Sequence, residues 1–425
     1  MKRLICLVMA LVLLCGVSVA LGEAKQIDFK TKRNIKIHSA GLNTDPNEMI
    51  QQGISPTTGR KLDELEIPNG FSGTVVTGLY QPTMVQVSNS SNGFNDEDGI
   101  KKGGDIFRMA PIYGNYADVV YEVAQTSNGS STRMTMLFCD TIPTVVGFIR
   151  STRFTHVKLL KEWNCNLISS GYPTYMDTQE FWNSYKISNP LGPNRITDPG
   201  PVYIGGVDGG RPWRKFYGEI TDLSGAGSHR KIFFVADLVN DVVPKDKVYT
   251  NHTWLFADEL PEGGDDATFI DVKFGQTYDT NSVLQYNEDD RLYYRVVNVR
   301  QNGEQIYRSS TVNVTDIKRE SARDGYAYVT ANRELGEPIT FTNVIVQGIE
   351  TKWPGSEIPD PQLVGSGNAD YFMGGKHYEG VWERKDIDSR TVYYDANGNE
   401  LQLQRGKTLI ILMNYNSDHT GVSYE

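Results

Sequence analysis

The stretch from Ala117 to Gly171 constrains the fold most. It reads ADVVYEV, then STRMTMLF, then VVGFIRSTRF, and ends in LISSGYP. Val119 to Ala124 and Met134 to Phe138 are short apolar runs of strand length. Ser151 is placed to cap a helix running to about Trp163, with Phe154, Val157 and Leu160 on its inner face. Leu167 to Ser169 then reads as a strand, and Thr178 to Tyr185 as a second helix begun by Asp177 or Thr178. Strands alternating with helices require a layer in which helices cover a sheet.

The rest of the chain is organised differently. Residues 23–70 are polar with weak periodicity and read as a leader segment that packs at most in part. Thr74 to Leu79 and Thr83 to Val87 read as strands, and the polar stretch from Ser88 to Asp105 as a loop full of turn residues. From about Lys231 a series of short strands follows: KIFFVADLV, TFIDVKF, SVLQY, LYYRVVNV, TFTNVIVQGI, TVYYDANGNELQL and TLIILMNY. The Asn-Gly in DANGN is a hairpin signal between two of them. With 23 tyrosines and 41 glycines, strands and turns are favoured over long helices. A chain of this length exceeds one ordinary core. The expected class is α+β, with an N-terminal α/β-type domain at 71–230 followed by a β-rich C-terminal domain at 231–425.

The first residues point to a compartment. Lys2 and Arg3 precede an apolar run from Leu4 to Leu14, which is shorter than the ~20 residues that span a bilayer. Ser18, Ala20, Gly22 and Ala24 supply small residues for cleavage, so residues 1–22 read as a signal peptide cut after Ala20 or Gly22. Cys15 raises lipid attachment, but Leu14 stands where that processing wants a small residue. A released or wall-retained protein is therefore favoured, extracytoplasmic and with no transmembrane helix in the mature chain. The chain carries a net charge of -10, and losing Lys2 and Arg3 makes the balance more acidic still. That argues against nucleic-acid partners and against adhesion to anionic lipid. Beyond the leader, Cys139 and Cys165 are either a disulfide or two buried thiols.

Candidate chemistry centres on Glu122, Arg133, Arg150, Ser151 and Arg153. Arg150 and Arg153 lie three apart at the predicted helix start, so they would share a face. The helix amides and the Ser151 hydroxyl would add donors, and Arg133 a third cation, to grip a carboxylate or phosphate. The competing reading is an internal network in which Glu122 neutralises one arginine. Glu122 is also weighed as a general acid with Asp118 or Asp140 as its second carboxylate.

Other motifs carry less. GGVDGGRPWRKF, from Gly205 to Phe216, has no following Gly-Lys-Ser/Thr, so it reads as a turn or mobile loop. Arg211, Trp213, Arg214 and Phe216 would otherwise line a groove. The acidic run NDEDG with Asp105 reads as a solvated loop. The six histidines show no HExxH and there is no GxSxG. No metal site and no cofactor are expected.

Several ordered blocks resemble the YerB family of bacterial envelope proteins, a pair of N- and C-terminal domains of unknown function. In the first half these are QPTMVQVSN, ADVVYE, TRMTMLF, IRSTR and Gly171; in the second, YYR, FTNVIVQ, VGSGNADYFMGGKHYEGVW, YYDANGNELQL and RGKT. Departures include Gln81 where an arginine is expected, a long polar insertion between Asn89 and Ala117, and Leu409 in place of a tryptophan. The resemblance implies an exported envelope protein and no assigned activity. Gly365, Gly367, Gly375, Gly380 and Trp382 match the family pattern and read as hairpin geometry with Trp382 as a packing anchor. Asn343 reads as a residue that satisfies backbone groups at a turn.

The reading that unites these features is a binding or scaffold protein rather than an enzyme, recognising an anionic cell-wall polymer or an envelope protein through the arginines. The alternatives are a wall-acting hydrolase using Glu122 and a structural partner in an envelope complex.

Overall fold

The computed structural model describes residues 24–38, 45–65, 73–75, 80–89, 111–171, 173, 176, 179–185, 202–204, 214–221, 230–241, 243, 252–275, 282–299, 305–308, 310–321 and 327–425. The loop Ser91–Asp105, the glycine-rich run Gly205–Trp213 and residues 1–22 lie outside them. No described helix is long and apolar enough to cross a membrane.

The chain is β-rich, with few helices. Its centre is an eleven-stranded sheet. In chain order the strands are β1 (Thr83–Asn89), β2 (Val119–Ala124), β3 (Thr132–Phe138), β4 (Asn166–Ile168), β5 (Val202–Ile204), β6 (Asp265–Asp266), β7 (Asn343–Ile349), β8 (Gly365–Met373), β9 (Lys376–Arg384), β10 (Val392–Asp395) and β11 (Thr408–Asn414). They lie in the order β6-β9-β8-β7-β11-β2-β3-β1-β4-β5, with β10 also on β9. The seam is the parallel pair β11–β2, in register from Thr408↔Val119 to Leu412↔Val123. Strands from the two halves of the sequence thus form one continuous sheet. Apolar side chains fill both faces of the central strands, as near-continuous runs such as TLIILMN require.

One face is covered by the helix α1 (Phe154–Trp163). Val157 and Leu160 are buried as their spacing demands, while Phe154 is only partly so. The helix ends at Asn164 in the left-handed conformation, which asparagine tolerates. Trp163 Nε1 donates to the Tyr121 hydroxyl at 2.9 Å and so ties α1 to β2. Over the opposite face, a seven-stranded sheet contributes Ser282–Asn287 and Leu292–Val299. A third sheet holds the long hairpin Ser310–Ser321 and Ala327–Pro338.

Most expected strands are present with shifted ends. KIFFVADLV is the exception: Lys231–Phe233 is a strand and Val235–Asp241 a helix. A continuous apolar run does not separate the two states, but Val235, Leu238 and Val239 do recur at helical spacing and are buried. The predicted packing of Trp382 and Asn343 is found. Trp382 is buried and donates to Gly348 O at 2.9 Å. Asn343 exchanges hydrogen bonds with the Gln404 backbone, at 2.8 and 2.9 Å. Gly380 is required by space, since a Cβ there would lie 2.0 Å from Tyr394 O. Cys139 and Cys165 are two buried free thiols, not a disulfide.

The polar leader is better anchored than its composition suggests. Lys25–Gln26 pairs with Gly421–Tyr424 at a sheet edge. Arg33 reaches the buried Asp370 with both terminal nitrogens, at 2.9 and 3.0 Å. Ser55 and Thr58 each donate to Asp140 at 2.6 Å. These anchors are polar, so a search for apolar periodicity does not find them.

A second polar cluster holds α1 to the C-terminal half. Glu162 accepts from Arg384 at 2.9 Å and from the Thr391 amide at 2.9 Å, and it faces His252 Nε2 at 3.4 Å. The His252 ring stacks on Trp163 with centroids 3.6 Å apart. Burial opposes the charge on Glu162, but Arg384 overcomes it and holds the carboxyl at about 2, below its usual 4.5. Burial lowers His252 from 6.5 to about 4, against the pull of Glu162. Both folded values lie below the unfolded ones. The stability each contributes is therefore complete above its unfolded value and lost as the pH falls towards its folded one. Urea unfolding midpoints should decline from pH 6.5 to 4 through His252 and from pH 4.5 to 2 through Glu162. The slope is at most about 1.4 kcal/mol per pH unit for each group. A His252→Asn variant should make the upper segment shallower, leaving the share of His156, which burial also holds below its usual range; an unchanged upper segment there would assign it to another group.

Candidate functional site

The backbone alternation of β2 and β3 decides where the predicted residues go. Glu122 is paired with Met134, and Val123 with Arg133. Paired residues share a face and neighbours alternate, so Glu122 and Arg133 lie on opposite faces of the sheet. The expected gathering of one carboxylate with three guanidiniums is therefore not formed.

Glu122 faces the seven-stranded sheet and is fully buried. Its Oε1 accepts from Asn89 Nδ2 at 2.7 Å and Thr132 Oγ1 at 3.2 Å, and its Oε2 from Ser282 Oγ at 2.8 Å. The cation beside it is Arg295, at 3.4 Å. The network that sequence reasoning proposed exists, but with a different arginine, 173 residues away. So enclosed, Glu122 is not placed as a general acid facing substrate. Asp118 lies on the same face four residues earlier, roughly 13 Å along the strand, so the two do not form a carboxylate pair. Asp118 instead neighbours Asp140. Burial raises both carboxyls, and Asp140 raises Asp118 further.

The other members of the set do come together on the α1 face. Arg150 and Arg153 are not on the helix, as the spacing suggested, but in the extended segment before it. Arg150 N–H donates to Gln86 O at 2.9 Å, and Ser170 N–H donates to Arg150 O at 2.9 Å. Those bonds hold the segment extended until Arg153, the N-cap, at φ -137° and ψ 175°. Ser151 is not the cap. Its carbonyl accepts from Arg133 Nη1. Arg153 donates to Thr152 O at 2.9 Å and to Glu357 O at 3.1 Å, which reaches across to the C-terminal half.

The residue that sequence reasoning missed is His156. Its Nδ1 accepts the Arg153 N–H at 2.8 Å, which places the ring proton on Nε2. That Nε2 is buried and has no hydrogen-bond partner among the described residues. Burial, then Arg133 and Arg153, push His156 well below the usual histidine range, so it stays neutral. Burial, then Arg153, also lower Arg150. Arg133 and Arg153 thus act on the buried imidazole, and Arg150 acts on Arg153 beside it. The signal available in the sequence was the i+3 position of His156 from the cap, where a side-chain acceptor closes a capping box. Such a group of fixed donors can hold an oxyanion by bidentate contacts.

Residues 110–192 match the family described as protein of unknown function (DUF3048), N-terminal domain, and residues 270–410 match its C-terminal domain. The fold is similar to the crystal structure of YerB protein from Bacillus subtilis. The TM-score is 0.55 at 16% identity, over 87% of this chain and 99% of that one. No curated protein matches the chain.

Proposed function

Because this chain belongs to the paired-domain DUF3048 family, described only as proteins of unknown function, we propose that it acts by binding, as an exported envelope protein that recognises an anionic wall polymer or partner. The observation that supports this reading is the grouping of Arg133, bonded to Ser151 O, with Arg153, bonded to His156 at the helix cap, and with Arg150 three residues before it. Arg150, Ser151 and Arg153 are only partly buried, so an anion can approach them. Phosphates of a teichoic polymer or carboxylates of a wall peptide have the required charge and geometry. Within this reading the N-terminal half is an α/β-type layer, supported by α1 lying on the sheet that carries Arg133. The basic amino-terminal residues followed by an apolar run support export.

The test is sedimentation of the purified protein with isolated cell wall, with and without teichoic polymer, beside Arg150→Ala/Arg153→Ala. A charge-assisted contact is worth about 1.5–3 kcal/mol, so the double variant should bind more than about tenfold more weakly. Its circular dichroism spectrum should match the parent. Equal binding by a folded double variant would leave the arginines as fold-holding residues and remove this reading.

A further inference from the structure

On the opposite face of the sheet, at the β11–β2 seam, lies a polar cleft of about 440 Å³. Its walls come from the leader (Thr58, Arg60), from the approach to β2 (Asn115, Asp118), from the residue before β11 (Lys407) and from the strand pair at Tyr294 and Thr340. None belongs to the arginine cluster.

The cleft pairs unfilled donors with unfilled acceptors. Lys407 Nζ donates to Asn115 O at 2.8 Å and to Thr340 Oγ1 at 3.4 Å. An ammonium has three N–H groups, so one remains. Among the described residues Lys407 makes no ion pair, and the Arg60 guanidinium at the rim makes neither an ion pair nor a hydrogen bond. On the acceptor side, Asp118 Oδ2 takes the Cys139 and Asp140 amides at 2.6 and 2.9 Å, while its Oδ1 takes none among the described residues. Asn115 is 8% exposed, and its Oδ1 is buried with no partner among the described residues. A buried acceptor without a donor is unfavourable; Asn115 Oδ1 is one, and it shares the cleft with Asp118 Oδ1 and the two cations, the wall also carrying Glu64 and Glu337.

We propose that this cleft binds a small zwitterion of the α-amino-acid class. Its carboxylate lies against Lys407 and Arg60, and its ammonium is held by Asp118 and Asn115 Oδ1. Burial first, and Arg60 second, bring the Lys407 ammonium down to about 8. A carboxylate beside it would restore the charged form, and a ligand ammonium would do the same for Asp118, whose carboxyl is raised by burial and by Asp140. Asp140, which fixes the floor, is already occupied by Ser55 and Thr58 and takes no part in binding. A ligand with one charge satisfies only one half of the cleft.

The experiment is calorimetric titration of the full-length protein with glycine, L-alanine and D-alanine, beside acetate and methylammonium. The zwitterions should bind, and the singly charged probes should bind at least about tenfold more weakly, since each lacks a charge-assisted contact. Lys407→Gln and Asp118→Asn should each weaken glycine by a similar factor. Should either variant fail to fold, the wild-type protein serves instead: saturating glycine should lower acylation of Lys407 by a succinimidyl ester relative to the exposed Lys30 in the same sample, a ratio that cancels the ester consumed by free glycine, read by mass spectrometry. Absence of zwitterion binding, acetate binding as well as glycine, or Lys407 labelling relative to Lys30 unchanged by glycine would each overturn the proposal. The arginine cluster would stand untouched by that failure.

Discussion

Arg384→Ala should cost about 3–5 kcal/mol of stability, because it strands a buried carboxylate. Arg384 is fully buried and donates to Glu162 at 2.9 Å, to Lys158 O at 3.0 Å and to the carbonyls of Asp386 and Ser389 at 3.2 and 2.9 Å. Removing it leaves Glu162 with the Thr391 amide and a neutral His252. The free energy is read from urea unfolding at pH 7. The double variant Arg384→Met/Glu162→Gln should recover most of the loss, since no unpaired charge then remains in the interior. A loss below about 1 kcal/mol for Arg384→Ala would mean that the pair behaves as a solvated surface pair.

The second large effect is expected at Glu122. Arg295→Ala should destabilise by about 3–5 kcal/mol, because Glu122 is left charged in the interior with neutral donors only. Glu122→Gln should cost less, about 1–3 kcal/mol, as the amide keeps part of the hydrogen-bond set. Neither change should alter wall binding once folding is matched. Wall binding abolished by Glu122→Gln at unchanged stability would show that Glu122 faces a ligand, against its placement between the two sheets.

The arginine cluster was half legible. Arg133, Arg150, Ser151 and Arg153 are indeed neighbours, because chain proximity and a strand ending at a helix bring them together. Glu122 was misassigned because its nearest arginines in sequence lie on the far side of the pleat. A one-residue step along a strand moves a side chain to the other face, and that alternation was present in TRMTMLF to be counted. The partner it does have could not be found by counting, because Arg295 arrives from a separate sheet.

The sequence by itself determined the strand segments, the helix that covers them and the family, since each rests on local apolar spacing or on ordered motif blocks. Only the tertiary structure decided which charges meet. Arg384 is 222 residues from Glu162, Arg33 is 337 from Asp370, and Asp118 faces Lys407 only because β11 lies beside β2. Polar partners of this kind leave no periodic trace: each is one residue placed by folding, and its partner is chosen by the sheet order.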